Sequence, residues 1–243
     1  MRLRLAALIS GVTLLGAVGL AFVYFVLIGG SSPARLTLSS AGSTTSASAS
    51  TGTAASASPA ATQATTGVWT VATGSQAGYR VREQLGFAPA LTDAVGRTAA
   101  IQGSVTIVRT SSSYQVSAGA FTVNVSTLTS DRAMRDQRIH TMGLESDRYP
   151  NATFTLSSPV ALPSQAAGGQ TVTVSAVGNL TIHGVTRSVT IPMQARLSGS
   201  QIAVAGSIAF PFADFGMTPP SIANFVSVQP NVTMEFSLVF AHA

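Results

Sequence analysis

The chain has 243 residues, a length for one domain of ordinary size plus appendages, and its 46% apolar and 9% charged residues exclude disorder driven by charge. All thirteen basic residues are Arg and the formal net charge is +5, but Arg2, Arg4 and Arg35 flank an apolar N-terminus. From residue 67 onward ten Arg face eight acids, ten minus eight leaving +2 with no Arg cluster among aromatics, which argues against a nucleic-acid partner.

From Leu5 to Ile28 the sequence is uncharged and mostly apolar. At about 1.5 Å per residue those roughly 24 residues match a hydrocarbon core of about 30 Å. Secretory signal peptides have shorter apolar regions and a small-x-small cleavage site, and none is clear before Gly29-Gly30-Ser31-Ser32-Pro33. Residues 1–30 are therefore expected to be a cytoplasmic N-terminus and a single uncleaved transmembrane helix, with the cytoplasmic membrane as partner of residues 5–28. Arg2 and Arg4 precede the span and only Arg35 follows closely, so the positive-inside bias places the rest of the chain outside the cytoplasm. There is no Cys, which excludes disulfides, thiolate metal sites and a lipidated anchor cysteine. Residues 31–66, almost wholly Ser, Thr, Ala and Gly, have no periodicity and read as a disordered linker. As a flexible coil it would reach roughly 30–35 Å.

Past Gly67 the pattern changes to a period of two. Strands are expected near Val68–Val71, Ala77–Leu85 and Thr98–Val108. Between Tyr114 and Val125 the apolar set runs Tyr114, Val116, Ala118 and then Phe121, Val123, Val125, so a β-bulge is expected at Gly119-Ala120. Ser130 or Asp131 caps a short helix over Ser130–Met142, whose Arg132, Arg135 and Arg138 recur every third residue, placing it on the surface or at a barrel mouth. A strand near Thr153–Ser157 follows.

Val172, Val174, Ala176, Leu180 and Ile182 put the apolar set on even numbers, whereas Val185, Val189, Ile191, Met193 and Leu197 put it on odd ones. A two-residue hairpin loop at His183-Gly184 explains the switch, because Ile182 and Val185 then share a face. Ile202, Val204, Ile208 and Phe210, and later Val232, Met234, Phe236, Leu238 and Phe240, return to even numbers. Eight or nine strands with one apolar face each, joined by short loops, form an all-β antiparallel barrel or sandwich with one short helix.

Little in the chain carries catalytic chemistry. His140, His183 and His242 are too scattered for a zinc pair; His183 is a turn residue and His242 belongs to a frayed C-terminus. Asp214-Phe215-Gly216 matches a kinase triplet, but the chain has no Lys, no phosphate loop and no G-x-S-x-G elbow, so the triplet is a turn beside a strand. The expectation is no enzyme, no metal and no cofactor. Glu83 shares the odd parity of Ala77, Tyr79 and Val81 and so points to the apolar side, where an ionised carboxylate is costly unless paired or at a mouth. It reads as a rim glutamate bonded to an Arg, or else as a polar handle for a ligand headgroup.

Five blocks carry a resemblance: a strand led by Trp69, YRVREQL (79–85), SDRAMRDQRIHTMGLESDRYPNATF (130–154), GNLTIHGVTRSVTI (178–191) and DFG (214–216). In this order they resemble the YceI-like family of polyisoprenoid-binding barrels over residues 67–243. The resemblance implies a lipocalin-like antiparallel barrel in the cell envelope, enclosing a long apolar channel for an isoprenoid, isoprenoid quinone or fatty-acyl lipid, without catalytic residues. Alternation alone does not separate a lipid channel from a packed core, and the resemblance favours the channel. Under it Tyr79, Glu83, Phe121, Val123, Phe154, Ile182, Ile208, Phe210 and Phe236 contact the lipid, and Arg135, Arg138 and His140 gate the mouth. The alternative is a non-catalytic docking protein of the envelope with a solid barrel core.

Overall fold

The computed structural model describes residues 32–38, 65–86, 91–111, 113–222 and 226–243. The expected membrane span at 5–28 lies outside them, and among the described residues no helix is long and apolar enough to cross a membrane. In chain order the strands are β1 (Gly67–Val71), β2 (Gln76–Leu85), β3 (Leu91–Thr98), β4 (Ile101–Arg109), β5 (Tyr114–Asn124) and β6 (Thr129–Ser130). After helix α1 (Ala133–Thr141) come β7 (Asn151–Leu156), β8 (Val160–Leu162), β9 (Val172–Ile182), β10 (Val185–Ser198), β11 (Gln201–Pro211), β12 (Ser221–Ile222) and β13 (Val226–His242).

Several of these strands lie end to end and form single long staves. β1 and β2 both pair antiparallel with β13, β4 pairs with β1, and β3 pairs with β2. β5 and β6 likewise follow β4 and β3, while β7 and β8 both follow β5. The result is an eight-stave antiparallel meander in which β9, β10, β11 and β13 follow in order. It closes where Trp69 pairs with His242 and Val71 with Phe240, leaving no unpaired sheet edge between first and last stave. One end, here the α1 end, holds the finish of β2, the starts of β3 and β13, and the β9–β10 turn. The distal end holds the start of β1, the finish of β13 and the Gly199–Ser200 turn.

The alternation reappears as the inner face. Ile182 pairs with Val185 across the expected hairpin, and His183 (φ 53°) and Gly184 (φ 74°) both adopt the left-handed conformation that a two-residue type I′ turn needs. Val81, Leu180, Ile182, Phe210 and Phe215 pack near the α1 end, and Trp69, Ile101, Leu238 and Phe240 near the distal end.

Other expectations need correction. The bulge falls at Ser117, not at Gly119-Ala120: Thr106 pairs with Ala118 while Ile107 pairs with Val116. Gly119 faces inward, and without a side chain it leaves the alternation silent where the parity has already switched. β3 escaped notice because its inward positions, opposite Glu83, Val81, Tyr79 and Ala77, are Thr92, Ala94, Gly96 and Thr98. Small residues are required there: a Cβ on Gly96 would lie 2.3 Å from the Tyr79 ring. Helix α1 starts at Ala133 without a side-chain cap from Ser130 or Asp131; Ser130 instead donates its amide (2.9 Å) and hydroxyl (2.6 Å) to the Asp136 carboxylate. His242 is not frayed, since its ring stands edge-on to Trp69 with centroids 5.0 Å apart. The disordered linker expected over 31–66 does not hold for residues 32–38, where Leu36 and Leu38 are buried.

Candidate functional site

The inward side chains do not fill the barrel. A distal cavity of about 200 Å³ is walled by aliphatic and aromatic groups, among them Ile101, Phe121, Phe154, Phe236 and Leu238. A second cavity of about 460 Å³ lies toward the α1 end and is lined by Val81, Ile182, Phe210, Val232 and one face of α1. They meet at Ala77, Val123, Ala152 and Met234, which line both. Room for a single water takes only about 10–15 Å³, so each cavity has space for part of a chain rather than being a crevice between packed side chains, and the two share one wall at these four residues.

Polar chemistry gathers at the α1 end of this lumen. Helix α1 crosses the mouth with Arg135 and Arg138 on its lumen face, as their three-residue spacing requires, and Arg132, the extended residue just before the helix, lines the same cavity. Arg135 Nη2 donates to Glu83 Oε1 at 2.6 Å, and Nη1 to the Ser130 hydroxyl at 3.1 Å and to Asp131. The side chains of Arg135 and Glu83 are 14% and 9% exposed, so the pair is largely withdrawn from water. Burial alone would lower the Arg135 guanidinium, but Glu83 and Asp131 outweigh it and hold the group above its ordinary value, so it is always charged. Tyr79 stands beside this pair. Burial is the main cause that pushes its phenol well above the usual tyrosine range, and its hydroxyl is buried without a hydrogen-bond partner among the described residues, as is Arg135 Nε. A neutral phenol and a carboxylate-paired guanidinium thus stand with Glu83, Arg132 and Arg138 at the α1 end, and the distal cavity beyond them is apolar.

A family model for the YceI-like domain matches residues 69–240. The chain belongs to the YceI-like family. Among solved structures, a polyisoprenoid binding domain from Saccharophagus degradans implicated in plant cell wall breakdown is 16% identical, with a TM-score of 0.55 over 73% of this chain and 99% of that one. Burkholderia cenocepacia BcnA is 18% identical, with a TM-score of 0.50 over 68% of this chain and 95% of its own. At such identities the likeness is one of fold. No curated protein matches the sequence. The YceI-like match begins at Trp69, so residues 32–38 lie outside it.

Within the YceI-like barrel, Phe121, Phe154 and Phe236 line the distal cavity and Val123 the junction, while Tyr79, Glu83, Ile182, Phe210, Arg135 and Arg138 line the α1 end. Two expected residues fall elsewhere. Ile208 packs half-buried against the Phe210–Phe215 cluster and lines neither cavity. His140 turns off the lumen face of α1, and its Nδ1 lies 3.1 Å from Ser146 Oγ and 3.0 Å from Asp147 Oδ1. Five residues beyond Arg135, at about 100° per residue, its side chain comes round to another face of the helix. The sequence reading passed over Ala77, Ala152 and Met234, the waist of the lumen. Inward parity marks Ala77 and Met234, but an alanine carries too weak an apolar signal to stand out.

Proposed function

We propose that this YceI-like protein stores or carries a long apolar lipid, of isoprenoid, isoprenoid-quinone or fatty-acyl type, in its barrel lumen at the outer face of the cytoplasmic membrane, and that it performs no catalysis. The two adjoining apolar cavities, with polar groups gathered at one end, carry the reading. A barrel built as a solid docking module would close that space, because protein interiors pack as densely as organic crystals. The polyisoprenoid-binding description of the S. degradans neighbour and the shared family support a lipid tail as occupant.

Burial supplies the affinity. Each methylene withdrawn from water contributes about 0.8 kcal/mol, so affinity rises with chain length until the lumen is full. The tail occupies the distal cavity and the waist. A polar head meets Arg135, Arg138 and the Tyr79 hydroxyl at the α1 end, where a charge-assisted hydrogen bond is stronger than in water. Residues 5–28 supply the membrane attachment and Arg2 and Arg4 its orientation. Native mass spectrometry of the full chain, freed from detergent in the instrument, tests this: a co-purified lipid or uptake that strengthens with chain length is expected. A folded protein with neither refutes it.

A further inference from the structure

Residues 32–38 run as an extended strap down the outside of the barrel, and their contacts fix where it starts and which way it goes. Ser32 Oγ donates to the Asp93 carbonyl at 2.6 Å, and Asp93, near the start of β3, pairs with Arg82 close to the α1 end. Arg80 Nη2 donates to the Pro33 carbonyl at 2.8 Å, Arg97 to the Ala34 carbonyl, and Ser237 Oγ to the Thr37 carbonyl at 3.2 Å. Ser237 pairs with Gln76, so from Ser32 to Thr37 the strap travels from the level of Arg82 to that of Gln76, away from α1. Leu38 packs on Ala203 and Ala205, outward-facing alanines of β11 that are thereby buried.

Beneath the strap is an ion network in which Arg80 and Glu235 are buried and Asp93 and Arg97 partly so. Glu235 lies 2.9 Å from Arg97 and 3.4 Å from Arg80, and Arg80 lies 3.0 Å from Asp93. The guanidinium groups that neutralise the acids also bind the strap's carbonyls, so strap and network are one construction. A segment with its carbonyls bonded and its leucines buried is part of the barrel and not a free tether.

This changes the reach of the chain that precedes it. The apolar stretch ends at Ile28, four residues before Ser32. At no more than about 3.6 Å per residue, Ser32, held at the level of Arg82 near the α1 end, lies within about 14 Å of where that stretch stops. A free 31–66 linker would allow roughly 30–35 Å. The rim at that end is suited to a bilayer: of the five large apolar side chains most exposed among the described residues, Leu91, Met134 (69%) and Met142 (46%) belong to the α1 end, while Val68 stands alone at the distal end and Val177 on the wall.

We propose that the strap docks the barrel with its α1 mouth against the lipid bilayer surface, making that mouth the portal through which a lipid passes between membrane and lumen without crossing water. This rests on the anchor and the lipid-carrier reading above. With β13 17 residues long, at about 3.3 Å per residue and a tilt of about 40°, the Gly199–Ser200 turn then stands on the order of 40 Å further from the bilayer than α1.

The chain has no cysteine, so single-cysteine variants can be labelled cleanly. Full-length Met134→Cys, Met142→Cys and Ser200→Cys, each carrying a fluorophore, are reconstituted into phosphatidylcholine–phosphatidylglycerol vesicles containing a nitroxide-headgroup lipid. Quenching at 134 and 142 and its loss at 200 are expected. A Gly/Ser insertion of about twenty residues before Ser32, adding roughly 25 Å of reach, should abolish quenching at 134, whereas the same insertion after Ser50 should leave it unchanged. Equal quenching at 200, or equal effects of the two insertions, overturns the proposal. Protein that does not float with the vesicles overturns the anchor and the docking together. Native mass spectrometry of the same protein before reconstitution reports the lumen separately: the expected quenching pattern from protein that neither carries nor takes up a lipid sinks the carrier reading and leaves the docking standing.

Discussion

Val123 sits at the waist where the two cavities meet, which makes Val123→Trp a direct test of whether they act as one channel. In a packed core a substitution of this size costs about 1–3 kcal/mol through overpacking. Here the indole has open space on both sides, and the barrel is expected to remain folded with its melting temperature little changed. The lumen, however, is divided. A ligand whose tail fits one cavity keeps its contacts, while a longer tail loses every methylene that would have passed the plug. For about six such groups at about 0.8 kcal/mol each the loss is about 5 kcal/mol, three to four orders of magnitude in Kd. The assay is displacement of a fluorescent lipid by a homologous series of acyl or prenyl chains, with circular dichroism as the check on the fold. In the wild type affinity should climb with length, and in Val123→Trp the climb should stop early. A variant that keeps the wild-type dependence on length refutes the single-channel reasoning, whatever it does to absolute affinity.

Tyr79→Phe removes a buried hydroxyl that has no partner among the described residues, and relief of that desolvation should raise stability by up to about 1 kcal/mol while weakening binding of lipids whose heads accept a hydrogen bond. Its pH signature has a definite sign: unfolded tyrosine ionises near pH 10 while burial holds Tyr79 neutral to higher pH, so its contribution is complete below about 10 and is lost as pH rises through the folded value. Denaturant titrations above pH 10 should show that decline in the wild type and less of it in Tyr79→Phe. Gly184 has φ 74° and a Cβ there would lie 2.9 Å from the Tyr149 ring, so Gly184→Val should cost about 1–3 kcal/mol; a variant that melts with the wild type would contradict the turn. Glu235→Ala leaves Arg80 without one of its buried counter-charges, with an expected loss of about 3–5 kcal/mol and faster hydrogen exchange in residues 32–38, and unchanged exchange there would separate the strap from the ion network.

Much of the barrel was legible in the sequence because an antiparallel strand with one wet face writes its orientation into alternate residues. The switch of parity across His183-Gly184 located a turn, and the same rule pointed Tyr79, Glu83 and Phe236 inward. The rule fails where an inward residue is small. Gly119 displaced the bulge by two positions, the Thr92–Thr98 face concealed β3, and Ala152 hid the waist of the lumen. His140 was grouped with Arg135 and Arg138 by proximity along the chain, although helical geometry carries its side chain to another face of α1.

Two features belong to the tertiary structure alone. Whether the inward faces meet as a packed core or stand apart around a lumen depends on how far closure of eight staves holds opposite walls from each other, and no alternation pattern encodes that distance. The strap is the second. Ser32–Leu38 has no period and lies in a Ser/Thr/Ala-rich stretch, so composition reads it as linker. Its order comes from partners up to 200 residues away in sequence, Arg80, Arg97 and Ser237, which the closing of the barrel brings onto one outer face.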